Sequence, residues 1–231
     1  KDPEMARRLG RKGLETVSHI TWEGLVDKLL EPYNFLELRF ANSRQNKRII
    51  CVISPYGIYP PVGGGKSRIF HLYRHLARYY NVVVVSVGNY NEKYQVKDLA
   101  DGLFEVRVPM TPAHSKRQWE LEKEAGLPIS DVAMPRLMRH TPMIRTVIEH
   151  FVGKADVVVA SHPFLFDAVH RVERTRLVAY ESHNVETKLK AAYLKRTRAG
   201  KRLWRDTARV ERGAARQSDV IWATSADEAK E

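Results

Sequence analysis

A glycine-rich loop between a predicted strand and a predicted helix is the part of this sequence best suited to chemistry. The apolar run Ile49–Ile53 has the length of a buried strand, and a loop containing Gly63, Gly64 and Gly65 follows it. From Lys66 onward, apolar residues recur every three or four positions, which predicts an amphipathic helix. Backbone N–H groups at a helix N-terminus attract anions, so this loop suits a phosphate. The same glycines could instead only let the helix approach the sheet.

The loop does not match two common phosphate-binding motifs. Gly65-Lys66-Ser67 resembles the end of a Walker A sequence, but that motif needs glycine at the position of Pro60. The dinucleotide fingerprint has spaced glycines in a tight turn, whereas here the glycines are adjacent and the loop is long. A nucleotide-dependent oxidoreductase is therefore disfavoured.

Polar side chains follow three of the predicted strands. Tyr56 follows the first strand, Ser161-His162 follows the fourth, and Glu181-Ser182-His183-Asn184 follows the fifth. The carboxyl ends of parallel strands share one edge of a sheet, so these groups should converge on one crevice with the glycine loop. An isolated histidine is more often structural than catalytic. Two histidines at successive strand ends make His162 the best candidate for a catalytic residue.

The remaining pattern predicts a Rossmann-like, doubly wound parallel α/β sheet, because short apolar runs alternate with helical segments. The predicted strands are Ile49–Ile53, Asn81–Val87, Leu103–Val108, Asp156–Ala160, Arg176–Tyr180 and Asp219–Ala223. Further helices are predicted over Ser115–Ala125, Arg136–Phe151, from Pro163 to about Val172, Val185–Arg198 and Ala199–Gln217. The polar stretch Asn89–Asp101 is predicted to be a loop with a short helix.

Length and composition favour one sizeable domain with an appendage, since the 231 residues are 43% hydrophobic. The single cysteine, Cys51, excludes an intrachain disulfide and a cysteine metal cluster, which favours a reducing compartment. No apolar run has the length of a membrane span, and the N-terminus lacks the apolar centre of a signal peptide. We therefore predict a soluble, cytoplasmic protein without a metal site.

The formal net charge of +12 is concentrated in one segment. Val185–Gln217 contains eleven Lys and Arg residues against three acidic residues. Such a density attracts polyanions or an anionic membrane surface, so a peripheral position at the inner face of a membrane stays open. A solvated helical face is the other interpretation. No nucleic-acid partner is expected, because Tyr193 and Trp204 are the only aromatic residues of the segment.

Several short motifs, in this order, resemble the N-terminal domain of retaining GT-B glycosyltransferases, in particular the large GT4 family. The matching residues are Tyr59-Pro60-Pro61 and Gly63-Gly64 after the first strand, Arg68 in the helix, Ser161-His162-Pro163, His183-Asn184 with Glu186, and Ser225 with Asp227 after the last strand. The resemblance covers residues 47–231. It implies one half of a GT-B fold, with a Rossmann-like N-terminal domain over residues 46–231.

Residues 1–45 resemble a different part of a GT4 enzyme, namely the helices that close its chain. Met5, Gly10-Arg11, Thr21-Trp22 and Tyr33 carry this second resemblance, and a polar linker over Phe40–Lys47 follows. The order implies a fragment of a protein with two glycosyltransferase modules in tandem, with the tail of one joined to the start of the next. A helical arm peculiar to this protein is the alternative.

The resemblance implies transfer of a sugar from a nucleotide-diphosphate donor to an acceptor hydroxyl, with retention at the anomeric carbon. His162 would lie near the transferred sugar as the catalytic residue. The implied substrate-binding residues are Gly63, Gly64, Gly65, Lys66, Arg68, His183, Asn184 and Glu186. No cofactor is implied, since the nucleotide sugar is a substrate; its partner is a glycan or lipid-linked acceptor.

In this family the donor sits chiefly on the C-terminal domain, so the fragment would hold half of a site and be inactive when isolated. The alternative function is a non-catalytic Rossmann-like module that binds a polyanion or a protein partner through its basic helices.

Overall fold

The structure is a computed structural model that describes residues 4–5, 12, 47–170 and 176–230. Lys47–Glu231 form one compact unit around a seven-stranded sheet. The strands are β1 (Ile49–Ser54), β2 (Asn81–Gly88), β3 (Gln95–Ala100), β4 (Leu103–Pro109), β5 (Val157–Ser161), β6 (Leu177–Glu181) and β7 (Val220–Trp222). Their spatial order is β3-β4-β2-β1-β5-β6-β7. This is the predicted doubly wound, Rossmann-like α/β architecture.

The strand order reverses at β1, which pairs in parallel with β2 on one side and with β5 on the other. The central strands β1, β2 and β5 are apolar runs buried on both faces, as parallel strands between two helical layers are. From this reversal point, the chain after β1 and the chain after β5 run to opposite faces of the sheet. The crevice that they open is where ligands bind in doubly wound sheets.

Seven helices are described: α1 (Gly64–Leu76), α2 (Pro112–Ala125), α3 (Met134–Leu137), α4 (Pro142–Lys154), α5 (Phe166–His170), α6 (Glu186–Leu194) and α7 (Arg198–Gln217). Helix α1 packs through Ile69, Phe70 and Tyr73 onto β1, β2 and β5. Helix α4 contacts β1 and β2, yet its buried residues are not part of that cluster, as expected for a helix on the opposite face. Helix α7 lies against α2, α5 and α6.

The prediction for Asn89–Asp101 is wrong, because part of this stretch forms strand β3. Gln95–Ala100 pairs antiparallel with β4, with an irregularity between Asp98 and Ala100. The strand lies at the sheet edge and is only half-buried, so it carries polar residues and shows no continuous apolar run. The apolar run from which the other strands were predicted was therefore absent.

The prediction of one continuous helix over Arg136–Phe151 is also wrong. It divides into α3, a short 3-10 turn at Met138–His140, and α4. Pro142 explains the break, because a proline disfavours the helical conformation of the residue before it, and Thr141 has an extended φ of −129°. The segment from Pro163 likewise begins as a 3-10 turn at Pro163–Leu165 before α5.

Other predicted boundaries shift by a few residues. Helix α2 begins at Pro112 because the Thr111 side chain accepts a hydrogen bond from the His114 N–H. Helix α6 ends at Leu194 rather than Arg198. Most of the predicted arm over residues 1–45 lies outside the described residues; Glu4, Met5 and Lys12 are helical and exposed. Within the described ranges, no helix combines the length and apolarity needed to cross a bilayer.

Candidate functional site

The glycine loop presents the bare N-terminus of α1 at the carboxyl edge of the sheet. Gly63 is the residue before the helix, and its φ of 89° lies in the region that favours glycine. The N–H groups of Gly64, Gly65 and Lys66 have no hydrogen-bond partner among the described residues, and the first turn contains no acidic side chain. The loop therefore offers three donors and the positive end of a helix dipole.

Glycine occurs at these adjacent positions for different structural reasons. A Cβ at Gly65 would lie 2.4 Å from the Tyr56 hydroxyl and 3.9 Å from His162 Nε2, so Gly65 lets the helix approach these side chains. A Cβ at Gly64 would meet nothing within 4 Å. Packing inside the described chain thus explains Gly65 but not Gly64, and close approach by a ligand is the remaining physical reason for glycine there.

His162 directly follows β5 and lies in an unusual backbone conformation. Its φ is 74°, the only positive φ of a non-glycine residue in the described chain, and such a conformation is often found at functional sites. Its Nε2 lies 2.6 Å from the Tyr56 hydroxyl, and its Nδ1 lies 3.3 Å from Glu186 Oε1. The alignment with Glu186 is poor. His162 Nδ1 and Glu186 Oε2 are both buried and have no hydrogen-bond partner among the described residues.

The surroundings determine the proton positions around His162. Burial lowers the pKa of His162, the nearby His183 lowers it further, and contact with Glu186 only partly opposes this. Burial also raises the pKa of Tyr56, and the carboxylates of Asp131 and Glu186 raise it further. Tyr56 therefore keeps its proton and donates to Nε2, while a neutral His162 carries its own proton on Nδ1.

His183 lies behind His162 and joins it to a buried carboxylate. The ring centroids of the two histidines are 4.0 Å apart, and His183 Nε2 lies 3.0 Å from Ser161 Oγ and 3.4 Å from Glu181 Oε1. Glu181 also accepts hydrogen bonds from Arg68 Nε at 3.1 Å and Tyr73 Oη at 2.9 Å.

Burial alone would raise the pKa of Glu181. His183, Tyr73 and Arg68 together outweigh burial and hold this pKa at about 2. Glu181 is thus a fixed negative charge that ties α1 to the end of β6.

Helix α6 begins at Glu186, but its N-terminus is already occupied by an anion from within the chain. The Glu211 carboxylate accepts from the N–H groups of Glu186 at 2.6 Å and Thr187 at 2.7 Å. The Glu186 carboxylate instead faces His162, with Lys190 Nζ 3.6 Å from its Oε2 and 2.7 Å from Asp131 Oδ2. Of α1 and α6, α1 is the helix whose N-terminal N–H groups have no partner among the described residues.

A second buried carboxylate holds the loop between β1 and α1. Glu105 on β4 accepts from the Ile58 N–H and Ser86 Oγ, both at 2.8 Å, and from Arg107 Nη2 at 2.7 Å. Arg107 Nη2 also donates to the Tyr59 carbonyl at 2.5 Å. Glu105 and Arg107 therefore fix the backbone through which the chain enters the glycine loop.

The structure brings several predicted site residues together and shows fewer contacts for others. Gly63, Gly64 and Gly65 lie at the same edge as His162, His183 and Glu186. Arg68 was predicted to bind substrate; its Nε is engaged by Glu181, and its side chain remains 37% exposed. Lys66 lies in the first turn of α1, and the Asn184 carbonyl accepts from Ser182 Oγ at 3.0 Å.

Five residues shape the site but were not predicted from the sequence: Tyr73, Glu105, Arg107, Asp131 and Lys190. Glu105 and Arg107 alternate with apolar residues along β4, a pattern that suggests a solvent-facing side, although both are buried. Asp131 and Lys190 lie on elements distant in sequence. Lys190 is four residues after Glu186 on α6, and this i,i+4 spacing is a local signal that could have found it. No local signal indicated that Asp131 would pair with Lys190.

Comparison with known proteins supports the fold. No family model matches the chain, and no curated protein sequence matches it. Sucrose-phosphate synthase from Thermosynechococcus elongatus is similar in structure, with a TM-score of 0.60 and 12% identity over 80% of this chain and 44% of that chain. An α,α-trehalose 6-phosphate synthase structure from Burkholderia multivorans gives a TM-score of 0.39 at 10% identity, over 80% of this chain and 42% of that one.

The chain thus spans less than half the length of the sucrose-phosphate synthase that it resembles. At this level of identity the similarity shows the fold alone: residues 47–230 have the Rossmann-like architecture of one half of a GT-B fold.

Proposed function

We propose that this chain carries the acceptor-side domain of a GT-B glycosyltransferase that transfers a sugar from a nucleotide-diphosphate donor to an acceptor hydroxyl with retention. One observation carries the proposal: the N-terminus of α1, whose N–H groups have no partner among the described residues, faces a strained, buried histidine across the crevice at the reversal of the sheet. Departure of a nucleoside diphosphate creates negative charge, and fixed donors at that position lower the barrier.

The α1 N-terminus supplies the electrostatic part of the proposed reaction. The N–H groups of Gly64, Gly65 and Lys66 would face the diphosphate or an anionic part of the acceptor. The half-exposed side chain of Arg68 would add a positive charge one turn further along the helix, with Glu181 fixing its orientation. Lys66 would contribute through its backbone and its ammonium group.

His162 and Glu186 would contact the transferred sugar. His162 Nδ1 and Glu186 Oε2 both lack hydrogen-bond partners among the described residues. Both atoms are closed to solvent in the described chain, so a sugar hydroxyl that accepts from the first and donates to the second requires a local opening when the substrate binds. The neutral histidine donates without placing a positive charge beside an oxocarbenium-like sugar. His183 and Asn184 would support this arrangement from the end of β6, and no protein nucleophile is required.

The proposal extends to the organisation of the chain. Residues 46–231 would be the N-terminal domain of one transferase module, and residues 1–45 the closing tail of a preceding GT4 module. The donor would bind chiefly to a C-terminal domain outside this sequence. The protein would act in the cytoplasm, with a glycan or lipid-linked acceptor and without a metal or other cofactor.

Two measurements test the proposal. By calorimetry, the isolated 231-residue chain should bind UDP- and GDP-sugars only weakly and show no turnover. A longer protein that includes the following domain should release nucleoside diphosphate from one of these donors. Its His162→Ala variant should lose about 10²-fold to 10⁴-fold in kcat, a typical effect of a positioned catalytic group, with little change in Tm.

A micromolar Kd of the isolated chain for a nucleotide sugar, which is a binding free energy of about −8 kcal/mol, would contradict the proposal that this chain holds only half of the site. A kcat reduced only a few-fold in the His162 variant would remove that residue from the mechanism. Absence of any donor turnover in the longer protein would favour the non-catalytic module.

A further inference from the structure

Helix α7 carries a continuous line of six arginines along its exposed side. Their spacing alternates between four and three residues, which keeps them on one side of the 20-residue helix, about 30 Å long. All six side chains are exposed: Arg198, Arg202, Arg205, Arg209, Arg212 and Arg216. We call this line the arginine stripe. The opposite side of the helix buries Leu203, Thr207, Val210 and Ala214 against the domain.

Most of the stripe has no internal counter-charge. Arg209 forms an ion pair with Asp167 at 2.9 Å, whereas the other five arginines have no ion-pair partner among the described residues. The two acidic residues of α7 are engaged elsewhere: Asp206 binds Arg136, and Glu211 accepts from the N-terminus of α6. Five like charges along one line repel each other, so the stripe favours an anionic partner.

A groove with an apolar floor borders the stripe. Its volume is about 530 Å³, and Leu121, Leu137, Met138 and Ala168 line it together with the arginines of its rim, Arg117, Arg136, Arg139 and Arg145. Two ion pairs join the groove to α7, Arg136 with Asp206 and Arg209 with Asp167. The groove and the stripe therefore form one surface, on the helical layer that contains α2 to α5 and α7.

The shape of this surface does not suit nucleic acid. Helix α7 is flanked by α2, α5 and α6, so these neighbours would meet the DNA backbone if α7 approached a major groove. Trp204, the single aromatic residue of α7, donates its indole N–H to the Thr187 carbonyl at 2.9 Å, and Lys195 Nζ lies 3.7 Å from its ring centroid. It is therefore unavailable for stacking on a base.

The geometry points to a docking surface for an anionic lipid bilayer. A row of exposed guanidinium groups along one side of a helix can meet the phosphates of a planar headgroup layer, and guanidinium binds phosphate oxygens in a bidentate manner. The apolar floor beside the row accommodates the less polar part of an amphiphile. This surface is distinct from the glycine loop and His162, and the inference does not depend on sugar transfer.

Vesicle co-sedimentation of the whole 231-residue chain tests the inference. The chain should bind phosphatidylcholine vesicles that contain phosphatidylglycerol, should not bind pure phosphatidylcholine vesicles, and should dissociate as salt is raised to about 0.5 M. Each unpaired basic residue near an anionic bilayer raises partitioning about fivefold, so Arg205→Gln with Arg212→Gln should weaken binding about thirtyfold.

The chain offers a matched control of equal charge. Arg74→Gln with Arg78→Gln removes two exposed arginines, one from the last turn of α1 and one from the turn that follows it. Helix α1 packs on the opposite face of the sheet, so this variant should leave binding within about twofold. Arg205→Lys with Arg212→Lys should keep most of the binding. Equal losses in the stripe and control variants, or tighter binding to a nucleic-acid duplex than to the anionic vesicles at the same salt, would overturn the inference.

Discussion

The imidazole rings of His162 and His183 lie against each other, with centroids 4.0 Å apart and planes 33° apart. Each ring has a carboxylate on its outer side, Glu186 beside His162 and Glu181 beside His183. Two charged imidazoles at this separation would repel in a site that excludes water. The contact therefore favours a neutral His162, whose pKa burial already lowers.

This relationship predicts the protonation state of His162. We expect a neutral ring with its proton on Nδ1 at pH 7, and a titration midpoint below the ordinary value of about 6.5. Nitrogen-15 chemical shifts of the imidazole, assigned with a His162→Asn variant, would report both the tautomer and the midpoint. A midpoint above about 7, or a proton on Nε2, would contradict the hydrogen bond inferred from Tyr56.

Gly64 and Gly65 should respond differently to alanine. Gly65→Ala places a Cβ 2.4 Å from the Tyr56 hydroxyl, so Tyr56 or α1 must move, at a cost of about 1 to 3 kcal/mol in the free energy of unfolding. Gly64→Ala meets no atom within 4 Å and should change stability by no more than about 1 kcal/mol, with stabilisation expected. Urea unfolding measures both.

In the longer enzyme, Gly64→Ala should nevertheless raise the KM for the anionic substrate, because the Cβ would occupy the space in front of the N–H donors. An unchanged KM would mean that the glycines serve only the approach of the helix to the sheet.

Stability should fall between pH 6.5 and 4.5 because of buried histidines. Burial, with a smaller effect of His140, lowers the pKa of His114 to about 4. In this range the unfolded chain takes up a proton that the folded chain does not, so lowering the pH favours unfolding, by up to about 3 kcal/mol when the pH reaches 4. Glu181 acts at lower pH: its folded pKa of about 2 gives stability that is lost only below about 4.5.

The measurement is the free energy of unfolding against pH for the wild-type chain and His114→Asn, whose amide can keep the contact with Thr141 Oγ1. The variant should show a shallower decline over this range. The exposed His71, changed to Asn, is the control and should leave the slope unchanged. An identical slope in the His114 variant would assign the decline to other groups.

The sequence was sufficient for the central strands and for the convergence of the strand ends, because both follow from local signals. Apolar runs as short as Val157–Ser161 mark buried strands, and parallel connections then fix where the loops after them lie. Strand β3 could not be predicted in this way, since its partner β4 supplies the pairing and its own sequence is mixed. The carboxylate that binds the N-terminus of α6 could not be predicted either, because Glu211 belongs to a later helix.

The last prediction concerns Glu105 and Arg107, whose contacts connect β4 to the loop before α1. Glu105 is fully buried and accepts from the backbone, Ser86 and Arg107, so Glu105→Gln would place an amide donor against donors that need an acceptor. Disrupting a buried ion pair in this way costs about 3 to 5 kcal/mol. The exposed pair Arg145–Glu149 gives the control: Glu149→Gln should cost less than about 1 kcal/mol.

The same pair of variants separates loop positioning from global stability. If Glu105 and Arg107 fix the loop, limited proteolysis under conditions that keep both variants folded should cleave Glu105→Gln preferentially between residues 57 and 63. This follows because the Ile58 N–H and the Tyr59 carbonyl are held directly by the two side chains. Cleavage spread over the whole domain would instead indicate that these residues stabilise the sheet in general, and the glycine loop would then owe its position to Gly65 and Tyr56 alone.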